Sequence, residues 1–135
     1  MYKKRLINLI EIPKLLDDCY LHFAEVGKHI PFNIKRVFFI TEANTKLHRG
    51  LHTHKKNKQV IFCIQGSIRL ELDNGKIKEE IMLDKPNIGV LLDRMIWHKM
   101  SDFKKNTILL ILASHLFQEE DYIRDYDQFK KTKKD

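Results

Sequence analysis

The sequence predicts an all-β domain, an antiparallel barrel or double-sheet jelly roll that ends in a short helical segment. Three observations predict it. Pro31, Gly50, Gly66, Asn74-Gly75, Pro86 and Gly89 divide the middle of the chain into pieces of about 6–10 residues, the spacing of short strands joined by turns. The pieces between them are rich in β-branched and aromatic residues. No rhythm of strand, long helix and strand appears, which excludes a parallel sheet covered by helices. A set of about eight to ten short strands then closes on itself, because closure removes unpaired edges.

The elements run in order along the chain. Ile34 to Ile40 holds Val37, Phe38 and Phe39 and reads as a strand, as does the compact apolar run Val60 to Ile64. Ser67 to Leu72 alternates polar and apolar residues, the pattern of a half-buried strand. Asp73-Asn74-Gly75-Lys76 comes next, and Lys76 to Ile81 is a second alternating run. Asn-Gly between two such runs predicts a tight hairpin, because both residues tolerate positive φ. Val90-Leu91-Leu92 and Thr107 to Ala113 supply two further apolar strands. From Leu116 to Phe129 the pattern changes. Phe117, Tyr122, Ile123, Tyr126 and Phe129 recur at three- and four-residue intervals among charges, which predicts a helix or helical turn packed on the sheet.

Composition narrows the function classes. The chain has 135 residues, 43% hydrophobic and 32% charged, which suits one packed domain over 1–135 with a basic tail at about 130–135. Disordered and collagen-like chains are excluded. The longest apolar run, Thr107 to Ser114, is far short of the about 20 residues of a spanning helix, so no membrane partner is expected. Met1-Tyr2-Lys3-Lys4-Arg5 is basic, but Asn8, Glu11 and Pro13 come before any proper apolar core can form, so no export signal is read and a cytoplasmic location is expected. Cys63 lies in an apolar run and Cys19 far from it, so a disulfide or a zinc site is not expected. Net charge is +7, but Lys130, Lys131, Lys133 and Lys134 supply four of the excess charges. No stripe of interleaved aromatic and basic residues is present, which points to small anionic ligands rather than nucleic acid.

One stretch concentrates chemistry: His48-Arg49-Gly50-Leu51-His52-Thr53-His54-Lys55-Lys56. His52 and His54 are two apart, so on a strand both rings point to one face, which in a barrel is the interior. Two readings are open for them, groups that work on a bound molecule or imidazoles on a solvated loop after Gly50. A second stretch, Leu92-Asp93-Arg94-Met95-Ile96-Trp97-His98, adds a third histidine and the single tryptophan. Trp97 is either a ligand-stacking ring or core packing, and His98 either a site residue or a satisfied buried histidine.

Gly50-Leu51-His52-Thr53-His54, then Gly66, then Pro86 and Gly89, then His98, resemble the two motifs of the cupin superfamily. The resemblance implies a double-stranded β-helix, the jelly-roll barrel of that superfamily. Metal-binding cupins place a glutamate four or five residues after the second histidine. This chain has Lys55-Lys56-Asn57-Lys58-Gln59 there, so Gln59 stands in the carboxylate's place. The neighbouring lysines oppose a dication, and chemistry without a metal or other cofactor is expected.

The match narrows further. Ile30 to Phe39, Arg49 to His54, Trp97-His98, Leu112-Ala113-Ser114 and Asp121-Tyr122-Ile123-Arg124-Asp125-Tyr126 run in the order seen in the dTDP-4-keto-6-deoxyglucose 3,4-ketoisomerases, and the chain resembles that family over about residues 20–130. The resemblance implies an isomerase that moves a carbonyl from C4 to C3 of the hexose, on the way to 3-amino-3,6-dideoxy sugars of bacterial surface glycans such as the O-antigen of lipopolysaccharide. A C–H beside a ketone is weakly acidic, so its removal needs a placed base, and histidine with a reference pKa near 6.5 suits it. His52 and His54 are the expected catalytic pair, with His52 placed first because Arg49-Gly50-Leu51-His52 also resembles the dTDP-4-keto-6-deoxyglucose 3,5-epimerases. Arg36, Arg49 and Lys55 are expected on the diphosphate or the developing oxyanion. Gln59, Trp97 and His98 complete the expected substrate contacts, with Phe39 as a second candidate for aromatic packing. Arg124 is expected either at the ligand or pinning the C-terminal segment to the barrel.

Asp18-Cys19-Tyr20 departs from the Arg-Gly that family members carry before the Ile-Pro-Phe segment, which leaves galacto and gluco products both open. A 3,5-epimerase, a metal-dependent cupin oxygenase using His52, His54 and His98, and a non-catalytic ligand-binding cupin are the competing readings. The resemblance also implies a homodimer with strands crossing between subunits, and the many apolar strands of so short a chain agree with it.

Overall fold

A computed structural model of the protein describes residues 6–133. The strands are β1 (Leu9–Glu11), β2 (Lys14–Leu16), β3 (Tyr20–His22), β4 (Arg36–Ile40), β5 (Arg49–His54), β6 (Gln59–Gln65), β7 (Ile68–Asp73), β8 (Lys78–Leu83), β9 (Ile88–Leu92), β10 (Trp97–Ser101), β11 (Ile108–Ala113) and β12 (Tyr122–Ile123), followed by one helix, α1 (Tyr126–Thr132). They form two five-stranded sheets, ordered β1-β9-β6-β11-β4 and β12-β5-β10-β7-β8, beside a small β2–β3 hairpin. Every strand pair is antiparallel, as in the jelly roll expected from the sequence.

Alternation decides what lies between the sheets. Ile68, Leu70 and Leu72 of β7 meet Ile61, Cys63, Val90, Leu92, Leu109 and Ile111 from the opposite sheet in one buried cluster. Strand β6 also buries Val60 and Phe62 on its other side, where Ile12, Ile30 and Leu112 cover them. Burial on both faces explains why that run is continuously apolar rather than alternating. Burial also raises the Cys63 thiol to about 11, so it is an inert core group; Cys19 is exposed, and both cysteines are free.

The structure corrects the sequence reading in three places. Strands β1, β2 and β3 were not expected. The turn after β7 has four residues rather than two, because Asp73 pairs with Lys78. Gly75 takes the left-handed backbone at φ 92, whereas Asn74 serves through its side chain, whose Oδ1 accepts from Lys76 N and Ile77 N. The expected helix over 116–129 is a single 3-10 turn at Glu119–Asp121, then β12, and only then α1. Tyr122 and Ile123 pair with His54 and Thr53 on the free edge of β5, and Asp125 caps the helix by accepting from Asp127 N and Gln128 N. Helix α1 takes in Lys130 and Lys131 of the expected basic tail, whereas Lys134, Asp135 and the basic Met1 to Arg5 lie outside the described residues.

Helix α1 is held against the outer face of the second sheet. Phe129 is fully buried with its ring 5.7 Å from Trp97, and Tyr126 Oη donates to Asp73 Oδ2 at 2.5 Å, which pushes the phenol up to about 12. Phe129→Ala is expected to cost about 3–5 kcal/mol in a urea unfolding measurement, through lost burial and the cavity left behind.

Candidate active site

The site begins with an irregularity in β5. His52 pairs with His98 and Gly50 with Lys99, so Leu51 is an extra residue and the ladder is bulged. Gly50 and Leu51 both have left-handed backbone, at φ 87 and 53. Leu51 turns to the outer face, where it helps to line a groove of about 430 Å³ with Trp97 and Tyr126. The rings of His52 and His54 share the interior face, as their spacing predicts. Their centroids are 5.1 Å apart, and His98 on the neighbouring strand lies 4.5 Å from His52.

A cavity of about 200 Å³ opens beside them. Arg49, His52, Gln59, His98, Tyr122 and Arg124 form its polar wall, and Phe38, Ile40, Ile61, Met100 and Ile111 its apolar one. The Tyr122 ring lies 5.0 Å from His52 and 4.3 Å from His54, so the deeper His54 belongs to the same cluster. Arg124 lies over the Tyr122 ring at 4.1 Å and is bound bidentately by Glu119, with both N–H···O distances 3.0 Å.

Each histidine has its own partner. His52 Nδ1 is 2.7 Å from the Gly50 carbonyl oxygen. His54 Nδ1 is 3.0 Å from Asp121 Oδ2, and both groups are buried. The same carboxylate accepts from Lys56 N at 2.7 Å and Asn57 N at 3.3 Å. Among the described residues, no hydrogen bond engages the buried His54 Nε2.

Electrostatics keep all three rings neutral. Burial lowers His52 to about 4, helped by the neighbouring His54 and the Arg124 charge and opposed by the Gly50 carbonyl. Burial also lowers His54, with Asp121 opposing, and it takes His98 well below the ordinary value. For Asp121 burial alone would raise the pKa, but the Lys56 amide, the His54 ring and the Asn57 amide together hold it below the usual carboxylate range. Among the described residues no group of three or more His, Cys, Asp or Glu is placed to hold a metal ion.

The structure gathers Arg49, His52, Gln59 and His98 around one cavity, with His54 against it. Three expected contacts lie elsewhere. Lys55 is on the outer side, in a surface depression with Lys56, Gln118 and Glu120, because β5 ends at His54 and the chain turns outward there. Trp97 faces away from the histidines, since residues adjacent on a strand point to opposite faces, and it packs on α1. Phe39 is 69% exposed on the outer face of β4. Arg36 stands with its guanidinium 5.1 Å from the ring of Phe38, a wall of the cavity, and its charge contributes to lowering His54. Sequence reasoning missed Asp121 and Tyr122 as site residues. No local pattern marks them: Asp121 ends a 3-10 turn, and Tyr122 is extended only because it pairs with the edge of β5.

Residues 4–134 match the family described as FdtA: WxcM-like, C-terminal. The chain is 47% identical over 125 residues to the TDP-4-oxo-6-deoxy-alpha-D-glucose-3,4-oxoisomerase of Aneurinibacillus thermoaerophilus, across 92% of this chain and 90% of that one. Among solved structures, a 3,4-ketoisomerase from Helicobacter canadensis superposes with a TM-score of 0.92 at 34% identity, over 96% of this chain and 98% of the other. A histidine-to-asparagine mutant of the 3,4-ketoisomerase QdtA from Thermoanaerobacterium thermosaccharolyticum, in complex with TDP-4-keto-6-deoxyglucose, gives 0.90 at 35% identity over 93% and 92%.

Neutral buried histidines predict how stability depends on pH. With the folded values of His52 and His98 below the unfolded value of about 6.5, the unfolded chain binds more protons as pH falls through that value. Stability is therefore complete above about 6.5 and declines toward about 4, the folded value of His52. Urea midpoints are expected to be lower at pH 5.5 than at 7.5, and His98→Gln to lose less over that interval because one of the titrating groups is gone.

Proposed function

The chain belongs to the family described as FdtA: WxcM-like, C-terminal, and from that membership we propose that it is a sugar-nucleotide 3,4-ketoisomerase acting on TDP-4-keto-6-deoxyglucose. The observation that carries the reading is the pair of same-face imidazoles at 5.1 Å, one backed by a buried carboxylate. The histidine mutant of QdtA that holds TDP-4-keto-6-deoxyglucose supports the choice of substrate.

In this mechanism the residues divide the work. The keto-sugar lies in the cavity with C3 and C4 toward the histidines. His52 Nε2, at the cavity wall, removes the C3 proton, and the electron pair moves to O4 to give an enediolate. The O3 hydroxyl proton passes to O4, and His52 returns its proton to C4 as the carbonyl forms at C3. His54 lies deeper, with Nδ1 on Asp121, and its ring supports that of His52. Two protons leave and two return, so the step balances without an oxidant or reductant. The face of the sugar that His52 reaches sets the C4 configuration. Arg49 and Arg124, at the cavity wall, meet the oxyanion and the diphosphate with charge-assisted bonds. Arg36 adds to the positive field that steers the anionic ligand.

The working unit is a homodimer. Val37 and Phe39 are 57% and 69% exposed on edge strand β4, and Leu15, Leu16, Tyr20 and Leu21 of the β2–β3 hairpin are also exposed. Apolar surface of this extent beside an unpaired edge suits a second copy of the chain and the strand exchange expected from the sequence. A cytoplasmic location suits two free thiols, and no helix among the described residues is long and apolar enough to cross a membrane.

NMR of TDP-4-keto-6-deoxyglucose incubated with the protein in D2O tests the reading. The expected product carries its carbonyl at C3, with deuterium at C4 and, in recovered substrate, at C3; deuterium at C5 would instead mark an epimerase. Turnover is expected to survive EDTA, and its loss together with stoichiometric iron would favour an oxygenase. Asp121→Asn is expected to lower kcat by about 10²-fold or more with KM little changed, and His52→Asn to abolish turnover. Light scattering is expected to give about twice the 16.2 kDa chain mass.

A further inference from the structure

Gly50 and His52 are joined by a contact that an ordinary strand does not make. In a regular ladder a carbonyl lies in the plane of the sheet and bonds the neighbouring strand. Here Gly50 at φ 87 and Leu51 at φ 53 break that pattern, and the Gly50 carbonyl oxygen lies 2.7 Å from Nδ1 of the ring two residues on. A carbonyl only accepts, so Nδ1 carries the hydrogen. No hydrogen bond engages His52 Nε2 among the described residues, and the ring lines the cavity. His54 reaches the same tautomer through the Asp121 carboxylate.

The bulge is held in place from both sides. A Cβ on residue 50 would stand 3.1 Å from the His98 carbonyl oxygen and 3.2 Å from His98 Cδ2, and the left-handed backbone would strain any L side chain there. Leu51 adopts that backbone nonetheless, with its side chain in the outer groove beside Trp97 and Tyr126. We infer that the Gly50–Leu51 bulge is the positioning element of His52, fixing the Nδ1–H tautomer so that the Nε2 lone pair is offered to the cavity. What that lone pair does rests on the isomerase reading; the tautomer does not.

The test is NMR of the whole protein labelled with ¹⁵N-histidine. Between about pH 5.5 and 8 His52 is expected to show a protonated Nδ1 and a bare, pyridine-type Nε2. An Nε2–H tautomer, or a fast mixture of the two, overturns the inference. Leu51→Gly, which keeps a left-handed backbone without strain, is expected to retain the signature; its loss there also overturns the inference. Gly50→Ala is expected to give a tautomer mixture and a kcat about tenfold lower or more, with unchanged far-UV circular dichroism and KM. A folded Gly50→Ala variant with the wild-type signature and rate sinks the positioning role. If the wild-type protein shows the expected tautomer but does not isomerise the sugar, the inference stands and the functional reading fails.

Discussion

One buried hydrogen bond, from His54 Nδ1 to the Asp121 carboxylate, ties the site together. It links the end of β5 to the 3-10 turn before β12, residues that lie far apart in the chain, and it is not an isolated pair. The carboxylate also takes the amides of Lys56 and Asn57, so it secures the corner where the chain leaves β5. Removing the carboxylate would leave two backbone donors and a ring N–H without partners, an outcome far less favourable than the loss of one bond. The imidazole orientation, the end of β5 and the docking of β12 are thus set by the same two oxygens.

The apolar core sets the electrical character of the cavity. Ile61, Met100 and Ile111 belong both to the cavity wall and to the barrel's packing, so the histidines sit at the edge of a low-dielectric interior. There a neutral ring is favoured over a charged one, and the positive charge is left to guanidinium groups at the rim. The arrangement separates two tasks that would otherwise conflict: attraction of an anion and retention of an unprotonated base.

Much of this was legible in the sequence where local pattern and fold agree. The alternation of Ser67 to Leu72 is that of β7, and the two-residue spacing of His52 and His54 placed both rings on one face. Reading failed where tertiary contacts overrule local pattern. Tyr122, Tyr126 and Phe129 have helical spacing, yet Tyr122 is held extended by the edge of β5, and no local signal reports a partner so distant in sequence. Trp97 beside His98 looked like a pair until strand geometry sent them to opposite faces. Lys55 failed for a related reason, since charge type and proximity in sequence say nothing of a chain that turns outward after His54. Asn74-Gly75 marked a turn correctly but not its length, because Asn74 uses its side-chain oxygen rather than a left-handed backbone.

The residues that complete the site, Asp121 to Arg124, come after strands β1 to β11 in the chain. On the ribosome the barrel's strands therefore emerge before the carboxylate that orients His54 and the tyrosine that lines the cavity. Without that last segment the imidazoles would stand in an unfinished pocket, and the docking that completes it also buries Ile123 and Phe129 against Trp97. The end of the chain thus closes the core and finishes the site in one event.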